Sequence, residues 1–439
     1  MGNNRSLKGL FLFLGVFVFY RLSLDYIYTN IISPVFEYQH FIVSYNLIKY
    51  SLLLIWFIVI ALYDYKLYRD SRPSSTLLFF IDIFFFVPLT SIAGLANFNT
   101  GFIVYGFIFW IMMAVFQLKQ ISRNNQTTHS KEGAQISNVF FTISWIVVVV
   151  NFLITIYYNG FHIKIDLDDV YDLRAAMGEI EMPGLVGYIK PWASKLTILL
   201  LLLYIERKKF VSVGILSIIQ LSSFAFGGMK GDAFTLLVAF VVGFLYTERH
   251  KKYILYGMAV LNILVLVEFW ANGISTISIL IHRRMLYMPS LLSSEYYTFF
   301  TANEFVYLRG SFLRWFGFAN PYQMDIPYLI GSEVYGAPEM GANTGILGDD
   351  YAQFGWLSLL IYPFLRIKVL HWGLDNMMRY MSDKFILLIS FMFAFSFISG
   401  SFFSILLTGG YIITVLILST MKDRRNKVIK NVKQSIAAK

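Results

Sequence analysis

Apolar stretches about twenty residues long recur along this chain, parted by short clusters of Lys and Arg, and that alternation restricts the fold more than any motif. A bilayer core about 30 Å thick is crossed by about 20 apolar residues in a helix, and it holds no water to pair backbone N–H and C=O groups. The stretches are therefore expected as helices, because an open sheet would leave its edges unpaired there. Composition agrees, with a mean hydropathy of +0.62 and only 14% charged residues, against roughly 25% in soluble domains. The expected fold class is all-α: a polytopic transmembrane helical bundle forming a single integral membrane domain over 1–439.

The pattern predicts helices near 8–29, 40–64, 75–95, 99–118, 138–159, 189–205, 210–227, 233–247, 253–273, 350–369, 384–400 and 403–421, about twelve spans. With the N-terminus in the cytoplasm, alternate loops collect the basic residues: Lys66, Arg69 and Arg72; Lys119, Arg123 and Lys131; Arg207, Lys208 and Lys209; Arg249, Lys251 and Lys252. Arg366, Lys368, Arg379 and Lys384 fall in the next inside loop, and the tail from Lys422 to Lys439 adds more. This is the positive-inside bias, and it sets both ends in the cytoplasm. It also accounts for the net charge of +10 without a nucleic-acid partner, since the cations are not gathered on one soluble face. The first span comes after a short basic start without a small-residue cleavage site and is expected to be retained.

Two external segments exceed simple turns, 160–188 and 274–349. The second carries Pro289, Pro321, Pro327 and Pro338 among many aromatic residues, which predicts a folded cap or a re-entrant structure rather than disorder. Several cations stand on this side against the positive-inside trend: Arg174, Lys190, Lys195, Lys230, Arg283, Arg284, Arg309 and Arg314. Guanidinium forks and ammonium charges suit phosphate oxygens, so the group points to a lipid-linked phosphate or pyrophosphate. Salt bridges to Asp166, Asp168, Asp169, Asp172, Glu179, Glu181, Glu295 and Glu304 are the competing account.

Lys230 and Asp232 lie in Gly227-Gly228-Met229-Lys230-Gly231-Asp232, read either as an anion-binding nest or as a plain helix-helix turn. His282-Arg283-Arg284-Met285-Leu286-Tyr287 closes an amphipathic run and would display a basic patch at headgroup depth. His162 and His282 are the external histidines available as general bases. Asn343 through Gly355, with Asp349, Asp350 and Tyr351, leads into an apolar span, and its two carboxylates suit either helix capping or the holding of a sugar hydroxyl or an arginine. Within spans, Lys49, Asp82 and Glu268 are the few charged candidates for a transport path. Asp166-Leu167-Asp168 is too short, and on the wrong side, for a nucleotide-sugar metal motif. No Walker loop, dinucleotide fingerprint or metalloprotease helix motif stands in its proper context, and no internal repeat is evident. The absence of cysteine excludes disulfides, thiolate metal sites and a cysteine nucleophile.

With its two external loops, Arg174 followed by Gly178 and Gly184, the Gly-Gly-Met-Lys-Gly-Asp turn, Arg283-Arg284 through Met288-Pro289-Ser290, and Asn343 through Gly355, the chain resembles Wzy-type polymerases of O-antigen and related repeat-unit polysaccharides. The spacing from Arg174 to Gly184 is one residue shorter than usual there, and Lys230 stands where many relatives carry arginine. The resemblance implies a GT-C-like glycosyltransferase on the outer face of the bacterial cytoplasmic membrane. It would move a growing glycan from polyprenyl pyrophosphate onto the non-reducing end of another carrier-linked unit, with no cofactor and no metal. It implies Arg174, Lys230, Arg283 and Arg284 as pyrophosphate ligands, an external carboxylate or His282 as base, and Tyr287, Tyr296, Tyr297 and Trp315 as sugar-stacking rings. Expected partners are the polyprenyl-pyrophosphate-linked oligosaccharide, membrane lipid, a chain-length regulator and a flippase. Ligase and flippase or transporter readings remain as alternatives.

Overall fold

The computed structural model describes residues 2–123, 138–159, 184–227, 230–246, 252–311, 313–376 and 381–420. Among them the regular structure is helical throughout, without strands. Eight of the described helices are long and apolar enough to cross a membrane, and Phe210–Ser223 and Ala233–Leu245 are apolar but shorter. The chain divides into two compact units, Met1–Gln126 with His250–Leu370 and Ala394–Phe403, and Thr127–Arg249 with His371–Phe393 and Ser404–Lys439.

The first unit holds α1 (Gly2–Ile27), α2 (Leu47–Arg69), α3 (Pro73–Leu95) and α4 (Thr100–Arg123). Its central element is α3, buried along its whole apolar window. A helix apolar on every side belongs in the middle of a bundle, and α3 is one, with Leu77 to Ile81 and Ile83 to Val87 all buried. The outer helices point Leu, Ile and Val away from the protein, as with Leu52, Ile55 and Ile58 on α2, where a soluble protein would place charge. Lipid is the environment that satisfies such a surface.

Pro88 leaves a mark on α3. The chain widens into a π turn over Asp82–Phe86, in which Val87 N–H reaches Asp82 O. The next carbonyl, Ile83 O, would meet Pro88, which has no N–H to give. Tyr20 Oη of α1 donates to it instead at 2.9 Å, as a helix in hydrocarbon requires.

Further along the chain are α5 (Asn138–Asn159), α6 (Gly184–Glu206), α7 (Phe210–Gly227) and α8 (Lys230–Phe240), all in the second unit. There α6 is the buried element, with Leu199 to Leu202 at zero exposure. Trp192 Nε1 donates to Leu407 O at 2.9 Å.

In the first unit, α9 (Lys252–Asn272) ends in a sharp reversal. Glu268, a candidate transport charge by sequence, instead caps the next helical run: its carboxylate accepts from Ser275 Oγ at 2.5 Å, Thr276 N at 3.1 Å and Ile277 N at 3.2 Å. A π-helical run over Ser278–Tyr287 then continues into α10 (Met288–Ala302). His282 Nε2 meets Asn262 Oδ1 at 2.8 Å and Tyr287 Oη donates to Leu24 O at 2.6 Å. Asn262 and Leu24 lie near the middles of the Tyr253–Asn272 and Leu7–Gln39 spans. The start of the long segment 274–349 is thus packed against the middles of two spans.

After α11 (Ile326–Tyr335) come α12 (Gly348–Phe354) and α13 (Ser358–Gly373). Here the structure corrects one expected element, the single helix over 350–369. Asp350 and Arg366 form an ion pair at 2.6 Å, whereas sixteen residues of straight helix would part their backbones by about 24 Å. The chain reverses between them at Gly355, where φ is +54°. The last helices are α14 (Asp383–Ser399), α15 (Phe402–Leu406) and α16 (Tyr411–Ser419). Gly410, at φ +82°, interrupts the helix between the last two within the single apolar span Phe402–Ser419, where the sequence predicts a span over 403–421.

Candidate functional site

The glycine-rich approach to α12 builds the most elaborate polar site in the first unit. Gly345 N donates to Ile398 O at 2.9 Å and Ile346 N to Phe397 O at 3.2 Å, which pins this run to the end of α14. A Cβ on Gly345 would strike the carbonyl oxygens of Phe397 and Gly400, so the approach admits only glycine. Gly348 is wedged in the same way against Ser293 and Thr344, whose hydroxyls meet at 2.9 Å. Between the two glycines Leu347 is buried at φ +70°, ψ −58°. A branched apolar residue in that conformation is strained and persists because its surroundings hold it.

This turn delivers Asp349 and Asp350 into the first turn of α12, both buried. The Asp350 carboxylate accepts from Arg366 Nη2, at 2.6 Å to each oxygen. Asp349 Oδ1 accepts from Gln353 Nε2 at 3.2 Å. Gln353 Oε1 in turn accepts from Leu308 N at 2.8 Å. Val306 N and Tyr307 N donate to the end carbonyls Ala352 O and Gln353 O at 2.9 and 3.1 Å. These bonds cap a seven-residue helix whose last carbonyls have no intrahelical partner of their own. They also hold Tyr307 and Leu308 at φ +51° and +62°. Burial, and after it the neighbouring Asp350, raises the Asp349 carboxyl to about 7.

Aromatic rings enclose the group. Tyr351 lies 4.3 Å from Tyr297 and 5.0 Å from Tyr105 between ring centroids, and Tyr105 Oη shares a hydrogen bond with Ser358 Oγ at 2.7 Å. Rings of Phe402, Phe397 and Tyr362 surround the Arg366 guanidinium at 5.0, 5.6 and 5.8 Å. Arg366 Nε and Nη1 and Tyr362 Oη are buried without a hydrogen-bond partner among the described residues.

A second group sits on the inserted segment. His282 is fully buried. Asn262 gives its amide N–H groups to Ser23 Oγ at 2.6 Å and Tyr20 O at 3.4 Å. Its Oδ1 must therefore accept from His282, which places the imidazole proton on Nε2 and leaves Nδ1 as a lone pair. Arg283 Nη1 donates to Gln39 Oε1 at 2.6 Å, and its guanidinium lies 4.2 Å from the Phe36 ring. Arg284 is exposed, with no ion pair among the described residues. Nearby, His40 Nδ1 meets Glu295 Oε1 at 3.0 Å under the Tyr335 ring.

The structure thus brings Asp349, Asp350 and Tyr351 together, and separately His282, Arg283, Arg284 and Tyr287 on one helical run. Tyr287 is buried, its ring packed on Tyr28 at 5.5 Å and its hydroxyl on Leu24 O, so it ties the insertion to α1. Tyr296 Oη likewise donates to Ala342 O at 2.8 Å. Asn343 is exposed and bonds locally, Nδ2 to Gly341 O at 3.2 Å, away from the carboxylates. Arg309 is paired with Glu304 at 2.5 Å, as the competing account expects. His162 and Arg174 lie outside the described residues, as do the side chains of Lys230, Asp232, Arg314 and Trp315, although α8 begins at Lys230.

Sequence reasoning missed Arg366, Gln353 and Tyr362, and set Arg366 in an inside loop. The available signal was Gly355 within the expected span, a residue that marks a break. It also missed the buried network of Arg21, Asp25, Tyr50, Thr90 and Ser91 and the carboxyl of Asp64 beside Asp82. Among the described residues no cluster of His, Asp and Glu has the arrangement of a metal site. No family model, curated protein or solved structure matches the chain.

Proposed function

We propose that this protein is a membrane glycosyltransferase that polymerises carrier-linked repeat units, in the manner of the Wzy-type polymerases it resembles. The observation that carries the reading is the Arg283-Arg284 pair on a segment packed among spans, in which Arg284 is exposed and has no ion pair among the described residues. An exposed guanidinium beside a second one is suited to grip the oxygens of an anionic group. A lipid pyrophosphate supplies one, and its charge rises as it leaves, so fixed cations lower the barrier.

In this reading a hydroxyl of the acceptor sugar attacks the anomeric carbon of the donor glycan. The bond from that carbon to the pyrophosphate oxygen breaks, its electron pair stays with the carrier, and the hydroxyl proton passes to a base. Asp349 is the base we favour: Asp350 is committed to Arg366 through both oxygens, whereas Asp349 accepts from Gln353 at 3.2 Å. The chain crosses the inner membrane of a bacterium about twelve times with both ends inside, and the site faces the periplasm or exterior. Carrier-linked oligosaccharide is the substrate, a flippase supplies it, and a chain-length regulator acts on the product.

A second reading, passage of the carrier or a solute across the bilayer, draws on Asp64 and Asp82. Asp82 Oδ1 accepts from Trp110 Nε1 at 2.9 Å, and neither Asp64 oxygen has a donor among the described residues. Reconstitution with purified carrier-linked units and no nucleotide separates the two. Ladders of growing length support polymerisation, transfer only to a lipid core supports a ligase, and intact units on the opposite leaflet support transport. Arg283→Ala and Arg174→Ala are expected to fold and yield no ladder; wild-type ladders from both would refute the cationic site.

A further inference from the structure

We infer that the unpartnered donors of Arg366 and Tyr362, with the carboxyl of Asp349, form a binding site for an uncharged, hydroxyl-rich group, a sugar ring of the repeat unit. The inference rests on the polymerase reading and names where the acceptor glycan sits.

Arg366 is 2% exposed and commits only Nη2 to Asp350. Its Nε and Nη1 carry three N–H bonds without an acceptor among the described residues, and Tyr362, 1% exposed, adds a hydroxyl that is likewise unpaired there. Buried donors without acceptors are rare in native proteins, because each forfeits the hydrogen bonds it would make in water. A cluster of them on one guanidinium and one phenol marks a place where something else accepts.

Charge decides what that is. The guanidinium is already neutralised by Asp350, and Asp349 stands close enough to interact with both. A phosphate or carboxylate entering here would meet two acidic groups, and a cation would meet the guanidinium. A hydroxyl avoids both difficulties, because its oxygen accepts from Arg366 or Tyr362 while its proton points to a carboxylate. Phe397, Phe402 and Tyr362 supply flat apolar walls around the donors, the surface on which the C–H face of a sugar packs. Asp349 is the least buried member, at 8% exposure, and forms the edge by which the group is reached. The hydroxyl that Arg366 and Tyr362 orient is thereby set beside the proposed base.

The test measures binding of two probes to the full-length protein in detergent: carrier-linked oligosaccharide extracted from the producing cells, and polyprenyl pyrophosphate without sugar. Wild type should bind the glycan-bearing lipid at least tenfold tighter. Tyr362→Phe, which removes one hydroxyl and leaves the ring, should cut that preference about fivefold, in the range of one lost hydrogen bond, without changing affinity for the sugar-free lipid. Arg366→Lys should cut it further. If Tyr362→Phe keeps the full preference and only raises the melting temperature, the hydroxyl is an idle or water-bound group and the inference fails. Equal binding of both lipids by wild type overturns the inference alone, while binding of neither overturns the polymerase reading and this site with it.

Discussion

Arg21 and Arg366 are both buried guanidiniums paired with an aspartate in the same unit, yet the protein completes one and leaves the other open. Around Arg21 every nitrogen is engaged: Nε with Thr90 Oγ1 at 3.0 Å, Nη2 with Thr90 O at 2.8 Å, and Nη1 with Asp25. Asp25 is completed by Tyr50 Oη at 2.7 Å and Ser91 Oγ at 2.6 Å. Such a closed network joins α1, α2 and α3 and has nothing left to offer a ligand. Around Arg366 two nitrogens and a nearby phenol have no partner among the described residues, and the chain is strained at Leu347 to present the adjoining acids. Polar groups that serve only the fold are satisfied within it. Those left unsatisfied, on a strained turn, are where function is to be sought.

The comparison breaks most decisively at Arg21. Arg21→Met strands Asp25 among apolar helices, and loss of one partner of a buried pair costs about 3–5 kcal/mol. We expect little monodisperse protein in detergent, and a melting temperature equal to wild type would show the network to be dispensable. The open site should differ by responding to pH. Asp349, raised to about 7 in the folded protein from an ordinary 3.8, holds a proton there that the unfolded chain releases. Stability should fall as pH rises from about 4 to about 7, by at most about 1.4 kcal/mol per unit, and level off above. Asp349→Asn should flatten that slope; parallel profiles for variant and wild type would contradict the placement of this carboxyl.

Smaller changes sharpen the contrast. Gly345→Ala drives a methyl into the carbonyls of Phe397 and Gly400 and should cost about 1–3 kcal/mol, shifting α12 and abolishing transfer before the fold is lost. Unchanged activity would mean that the turn does not set the acids. The finest test pairs two phenols. Tyr50→Phe removes a bond to Asp25 and should lower stability by about 1–2 kcal/mol, whereas Tyr362→Phe removes an unpartnered hydroxyl and should be neutral or slightly stabilising. Equal losses in thermal unfolding would erase the distinction between closed and open sites.

Preference for one solvent over another, residue by residue, is enough to dictate the helical class. A run such as Leu77 to Val87, apolar at nearly every position, has no stable state outside a helix in a bilayer or a buried core, so most helix positions could be read directly. The glycines and acids of 341–355 were also visible as an unusual segment. Position along the chain could not show that the expected helix over 350–369 folds back at Gly355. That turn is stable only through contacts distant in sequence: Arg366 on Asp350, Gly345 against α14, and Val306 to Leu308 on the end of α12. Nor could it show that Arg21 closes a network while Arg366 does not. Hydropathy is a property of each residue with its solvent, whereas satisfaction of a buried polar group depends on which partners arrive from elsewhere in the chain, and only the tertiary structure decides that.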